Sequence, residues 1–163
     1  MTTREAMKTR EERDRSSGRH MTILLVEDDP GHAHLIEKNL RRGGCESEII
    51  RLGDGQQAVD FLQGGDVEGT SVREPLMILD LNLPVLDGYQ VLRMLKKDER
   101  TRQIPIVVLS TSDNPGEVAQ CYEMGCNLYV TKPVEYERFC DTIRLLGAFF
   151  CVINVPEKES SAL

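Results

Sequence analysis

Five short apolar runs punctuate this sequence, and four of them stop at a side chain capable of chemistry. The runs are Thr22–Val26, Glu46–Leu52, Leu76–Leu79, Ile104–Leu109 and Leu128–Val130. Runs this short and this rich in Ile, Leu and Val suit parallel strands buried on both faces. The segments between them change period. Pro30 to about Gly43-Gly44 reads as a helix, with Asp29 as its cap and Pro at the first helical position. Asp54 caps a second helix reaching about Leu62. Gly88–Lys97 carries apolar Val91, Leu92 and Leu95, and Asn114–Met124 ends at Gly125. Val134–Phe150 repeats Phe139, Ile143, Leu146 and Phe150 at three- and four-residue steps. Five strand–helix units predict an α/β fold: one five-stranded parallel sheet, doubly wound as (βα)5.

The domain limits follow from where this alternation stops. Residues 1–20 are almost wholly polar and read as a disordered or loosely helical extension. Residues 21–150 form the compact domain, and 151–163 are a carboxyl-terminal tail. The loop at 64–74 is Gly-rich and charged.

Charge and composition remove several classes of function. The chain of 163 residues has a net charge of −7, and the basic amino-terminal stretch leaves −9 on the rest. A nucleic-acid binder usually needs a basic face, so none is expected. The longest apolar stretch, Leu145 to Val155, is about half the ~20 residues needed to cross a bilayer, so no membrane insertion is expected. Five cysteines, at 45, 121, 126, 140 and 151, form no C-x-x-C pair and suit buried thiols in a cytoplasmic protein. No G-x-x-x-x-G-K stretch is present, which excludes a P-loop nucleotidase.

In doubly wound sheets chemistry gathers beyond the carboxyl ends of the strands. The first run ends in Glu27-Asp28-Asp29, the third in Asp80 and the fourth in Ser110-Thr111, and the fifth is followed by Lys132-Pro133. Three carboxylates drawn together raise one another's pKa unless a cation compensates. Oxygen ligands of this kind suit Mg²⁺, which needs only one or two protein carboxylates. A lysine and a hydroxyl on the other side complete an anion-handling site with a carboxylate in its middle. That arrangement suggests phosphoryl transfer to the carboxylate.

Four blocks carry a family resemblance: Ile23-Leu-Leu-Val-Glu-Asp-Asp-Pro30, Ile78-Leu-Asp-Leu-Asn-Leu-Pro-Val-Leu-Asp-Gly88, Ile104-Pro-Ile-Val-Val-Leu-Ser-Thr111 and Tyr129-Val-Thr-Lys-Pro133. In this order they resemble the signature blocks of response-regulator receiver domains, over roughly residues 21–150. The resemblance implies a flavodoxin-like receiver with Asp80 as the phosphoacceptor. It implies Mg²⁺ held by Glu27, Asp28, Asp80 and the backbone carbonyl of Asn82. It makes Ser110, Thr111, Lys132 and Tyr129 the phosphoryl-binding and switching residues, and Asn82 and Ser112 the tuners of phosphoryl lifetime. It also implies a cis bond between Lys132 and Pro133. Thr111 stands where many members of the family carry Ala.

Within the family the chain resembles most the stand-alone regulators paired with phytochrome-type histidine kinases. The implied partners are a sensor histidine kinase or phosphotransfer protein, a downstream protein target and a second copy of the chain. The dimer contact is expected on the last two helices and the apolar tail Phe149–Val155. A receiver of this kind is not an enzyme in the usual sense, because it catalyses only its own phosphorylation and dephosphorylation.

Rival readings fit less well. A flavin-binding module of the same fold needs a Ser/Thr/Gly-rich loop where Glu27-Asp28-Asp29-Pro30 stands. An aspartyl-phosphate hydrolase usually places a second acid two residues on, where this chain has Asn82. A degenerate receiver serving as a phosphorylation-independent scaffold has no need of the full residue set. His32 and His34 lie two apart, off a shared helix face, and read as surface histidines.

Overall fold

A computed structural model describes residues 21–64 and 72–156; the amino-terminal extension, most of the 64–74 loop and the last seven residues lie outside them. The elements are β1 (Thr22–Val26), α1 (Pro30–Arg42), β2 (Glu48–Leu52), α2 (Gly55–Gln63), β3 (Pro75–Asp80), α3 (Gly88–Lys97), β4 (Ile106–Ser110), α4 (Pro115–Glu123), β5 (Leu128–Thr131) and α5 (Tyr136–Phe150). All strand pairs are parallel, in the order β2-β1-β3-β4-β5.

Alternation along each strand divides the core in two. Leu24, Val26, Met77, Leu79, Ile106 and Val108 face one side, under α2, α3 and Cys121 of α4. Ile23, Leu25, Leu76, Ile78, Val107 and Leu109 face the other, under α1 and α5. The closest helix packing is on that second side. A Cβ on Gly147 of α5 would stand 2.5 Å from the carbonyl oxygen of Leu40 in α1. One on Gly43, just after α1, would collide with the Arg144 carbonyl of α5.

Helix starts follow the sequence. Asp29 accepts the amides of Gly31 and His32, and Asp54 accepts that of Gln57. Asp87 and Gln90 form a reciprocal capping box at α3. Gly125 has φ of 102°, which explains the glycine after α4.

Several expected boundaries move. β2 begins at Glu48 rather than Glu46, and β4 at Ile106 rather than Ile104, since Pro105 has no N–H to give the ladder. β3 takes in Pro75 and Asp80, and β5 extends to Thr131. α5 starts at Tyr136, two residues later than expected, and its cap residue Glu135 makes no side-chain cap bond. The Lys132-Pro133 bond is trans, against expectation, as are all described peptide bonds. The trans form is favoured by only about 0.5–1 kcal/mol before proline, so the sequence alone does not decide it.

The tail, expected as a dimer contact, is partly core. Phe150, Ile153 and Val155 pack on the second core cluster, whereas Phe149 and Val152 are exposed. No described helix is long and apolar enough to cross a membrane.

Candidate functional site

The sheet reverses its winding between β1 and β3, so the chain leaves a crevice at their carboxyl ends. Val26 pairs with Leu79, which sets Glu27 beside Asp80, one residue beyond each strand's last apolar position. Ser110 of β4 pairs with Thr131 of the neighbouring β5, which brings Lys132 level with the same edge. The Lys132 amide donates to the Ser110 carbonyl at 2.6 Å and fixes that register.

The side chains converge on one another. Lys132 Nζ lies 3.0 Å from Asp80 Oδ2 and 3.1 Å from Glu27 Oε2, and all three residues are buried. Oxygens of Glu27, Asp28 and Asp80 lie within 4.8 Å of one another, with Asp28 on the exposed side. Further bonds fix the carboxylates. Asp80 Oδ1 accepts the Asn82 amide at 2.9 Å, and Glu27 Oε1 accepts the Asp29 amide at 3.2 Å. Three carboxylates face one ammonium, so the pocket carries excess negative charge. The Glu27 carboxyl is pushed up to about 7, chiefly by burial and then by Asp80 beside it, with Lys132 pulling the other way.

This donor set fits a hard divalent cation. All three side chains offer oxygen, they lie close enough to share one ion, and their charge exceeds that of Lys132 by two.

The remaining expected residues surround this centre. Ser110 is buried, and its Oγ accepts the Ser112 amide at 3.2 Å. Thr111 is exposed. Tyr129 is half-buried against the first core cluster, and its hydroxyl donates to the Ser112 carbonyl at 2.7 Å. The Ser112 hydroxyl bonds Glu117 in the first turn of α4, so this one residue links β5 and α4. Asn82 is exposed, immediately beyond the Asp80 pocket.

His32 corrects the sequence reading. It is no plain surface residue: its Nδ1 lies 3.9 Å from Glu27 Oε2, and its ring stacks on Phe139 of α5 at 5.3 Å. The signal was its place in the first turn of a helix that begins at the acidic pair. His34 is exposed, as expected. Among the described residues the cysteines are all free thiols, buried except for Cys151.

The model of the response regulator receiver domain family matches residues 23–144, most of the chain. The chain belongs to the response regulator receiver family. Similar solved structures include a receiver domain from Rhodospirillum rubrum, 48% identical with a TM-score of 0.79, covering 85% of this chain and 99% of that one. Response regulator Rcp1 of Synechocystis is 42% identical over 68% of this chain and 75% of its own. A crystal structure of its Mn²⁺-bound form superposes with a TM-score of 0.75 at 35% identity, over 83% and 98% of the two chains. The phosphorylated cyanobacterial phytochrome response regulator RcpA is 32% identical, covers 85% and 99%, and has a TM-score of 0.75. The receiver is thus a phosphorelay signalling module, similar to response regulators that include a cyanobacterial phytochrome response regulator. Neither the flavin-binding nor the scaffold reading is favoured.

Proposed function

We propose that the receiver takes a phosphoryl group on Asp80 from a histidine kinase or phosphotransfer protein and returns it to water. The observation that carries this reading is the position of Asp80. It is buried, 3.0 Å from the Lys132 ammonium, and shares a donor cluster with Glu27 and Asp28.

In the forward step an Asp80 carboxylate oxygen bonds to phosphorus. The phosphorus–nitrogen bond of the donor's phosphohistidine breaks, its electron pair stays on the imidazole nitrogen, and that nitrogen takes up a proton. Lys132 offers its ammonium to an equatorial phosphoryl oxygen. The Ser110 hydroxyl, with Thr111 beside it, turns toward another. Glu27, Asp28, Asp80 and the Asn82 carbonyl would hold Mg²⁺, a reading supported by the acidic cluster and by the existence of an Mn²⁺-bound form of Rcp1. When bound, the ion would offset charge on the transferring group. Asn82 and Ser112 flank the path of the water that later cleaves the acyl phosphate, and so set its lifetime.

Output is a protein contact. Movement of Ser110 tugs the segment holding Ser112, to which Tyr129 and Glu117 of α4 are bonded. That biases a two-state surface on α4, β5 and α5. Leu145, Phe149 and Val152, spaced by four and three residues, form an exposed apolar stripe that suits a homodimer. The donor is a phytochrome-type kinase, by analogy with RcpA.

The test is incubation with Mg²⁺ and acetyl phosphate, followed by intact mass spectrometry. A gain of one phosphoryl group that needs Mg²⁺ and vanishes in Asp80→Asn supports the reading. No gain under any condition refutes it.

A further inference from the structure

The chain after residue 20 carries a net charge of −9, yet its cations are not evenly spread. A groove of about 500 Å³ lies between α1 and β2, an edge strand of the sheet. It is lined by His34, Glu37, Lys38, Arg41 and Arg42 of α1 and by Arg51 of β2, so four cations meet one carboxylate. Two of the four are fixed in place. Arg41 Nη1 donates to the carbonyl oxygens of Cys45 at 3.0 Å and Ser47 at 2.6 Å. Arg51 donates to Glu37 Oε2 from Nε at 2.7 Å and from Nη2 at 2.6 Å, which neutralises that carboxylate. Lys38 and Arg42 are exposed and bond no acceptor among the described residues. They stand four residues apart on α1, about 6 Å along its axis. Such a groove fits an acidic segment whose carboxylates repeat at that spacing.

The chain holds one just beyond its last described residue. Glu157 and Glu159 lie two apart, and two residues of extended chain span about 6.6 Å. Cys151 Sγ lies 3.6 Å from where a Cβ on Gly44 would stand, so the chain leaves α5 beside the end of α1, two residues past Arg42. From Cys151 to Glu157 the chain reaches up to about 20 Å. Ile153 and Val155 pack on the core cluster beneath α1 and α5, and Val155 precedes Pro156, which favours extended backbone there. Alternate residues of an extended chain share a face, so Glu157 and Glu159 follow Ile153 and Val155 onto the α1 side of the sheet. Arg51 faces that side too, because it pairs with Leu25 of the same cluster. Lys158 takes the opposite face. Asp66 and Glu68 share the two-residue spacing, but they follow α2, which packs on the other side of the sheet.

We propose that Glu157 and Glu159 dock in this groove of their own chain, with their carboxylates on Lys38 and Arg42, so that the segment straps α1 to the edge strand. The contact is independent of the chemistry at Asp80.

The test treats the full chain at low salt with a water-soluble carbodiimide. The reagent condenses a carboxylate with an amine in contact with it to give an amide, and itself takes up the water as a urea. Tryptic peptides are mapped by mass spectrometry, and an equal mixture of ¹⁴N and ¹⁵N chains separates links within a chain from links between chains. Lys38 is expected to join Glu157 or Glu159 within one chain. The yield is expected to fall at least fivefold in 0.5 M NaCl, which screens surface pairs, and in Arg42→Glu. Thermal midpoints of that variant and wild type establish that both are folded. Absence of the link in wild type overturns the proposal, as does a yield unchanged in Arg42→Glu. Links that mix isotopes would make a second copy the occupant, and a link from Lys38 to Asp66 or Glu68 would make it the loop before β3. Either result overturns the proposal too.

Discussion

Asp80→Asn should make the metal-free receiver more stable, although it removes one end of a buried ion pair. The substitution keeps the shape, exchanges one of two acceptor oxygens for a donor NH2 and deletes one charge. At an effective dielectric near 20, the contact with Lys132 at 3.0 Å is worth about 5 kcal/mol of attraction. Two carboxylates within 4.8 Å each repel Asp80 by about 3 kcal/mol or more, so repulsion exceeds attraction by about 1–2 kcal/mol. Release of a buried charge from its desolvation cost pushes the same way. The Asn variant should therefore unfold about 3–8 °C higher than wild type in EDTA at pH 8, where Glu27 is ionised. In 10 mM Mg²⁺ the gap should close or reverse, because the ion stabilises wild type and the variant has lost a ligand. Thermal melts followed by circular dichroism, with and without Mg²⁺, decide it. A lower midpoint for Asp80→Asn in EDTA would refute the charge accounting, and an Mg²⁺ effect equal in both proteins would refute the ligand assignment.

Glu27 supplies a matching pH dependence. Its folded-state pKa of about 7 lies above the ordinary 4.5, so the native state holds the proton more tightly than the unfolded chain. Metal-free stability from this group is full below about 4.5, falls as pH rises through the window and is flat above about 7, a change of roughly 3 kcal/mol. Urea titrations in EDTA at pH 5.5 and 8 should show this fall in wild type and its loss in Glu27→Gln. Gly147→Ala should cost roughly 1–3 kcal/mol, because its new Cβ meets backbone at Leu40 rather than a side chain that can move aside; an unchanged urea midpoint would contradict that packing. Tyr129→Phe should cost about 1 kcal/mol through loss of the bond to the Ser112 carbonyl, measured in the same way.

The sheet and its reactive edge were legible because every strand shows an apolar run and four of the five are followed by a polar residue capable of chemistry. Parallel pairing then brings Glu27, Asp80, Ser110 and Lys132 level without any further information. What lay hidden depended on packing between distant elements. The stacking of His32 on Phe139 needs α5 to lie across the start of α1, and no local pattern encodes that, although the first-turn position of His32 does place it near the acidic pair. The trans bond before Pro133 turns on a difference too small for composition to decide.

The helices are unequally anchored. α1 and α5 meet through glycines at 43 and 147 that leave no gap between backbones, so neither can shift without the other. α4 buries a single side chain, Cys121, and is otherwise exposed or half-covered. A lineage can therefore rewrite nearly the whole outward face of α4 at little cost to the fold. Descendants of one ancestral receiver can acquire different listeners by editing that face, while the chemistry at the sheet edge stays the same.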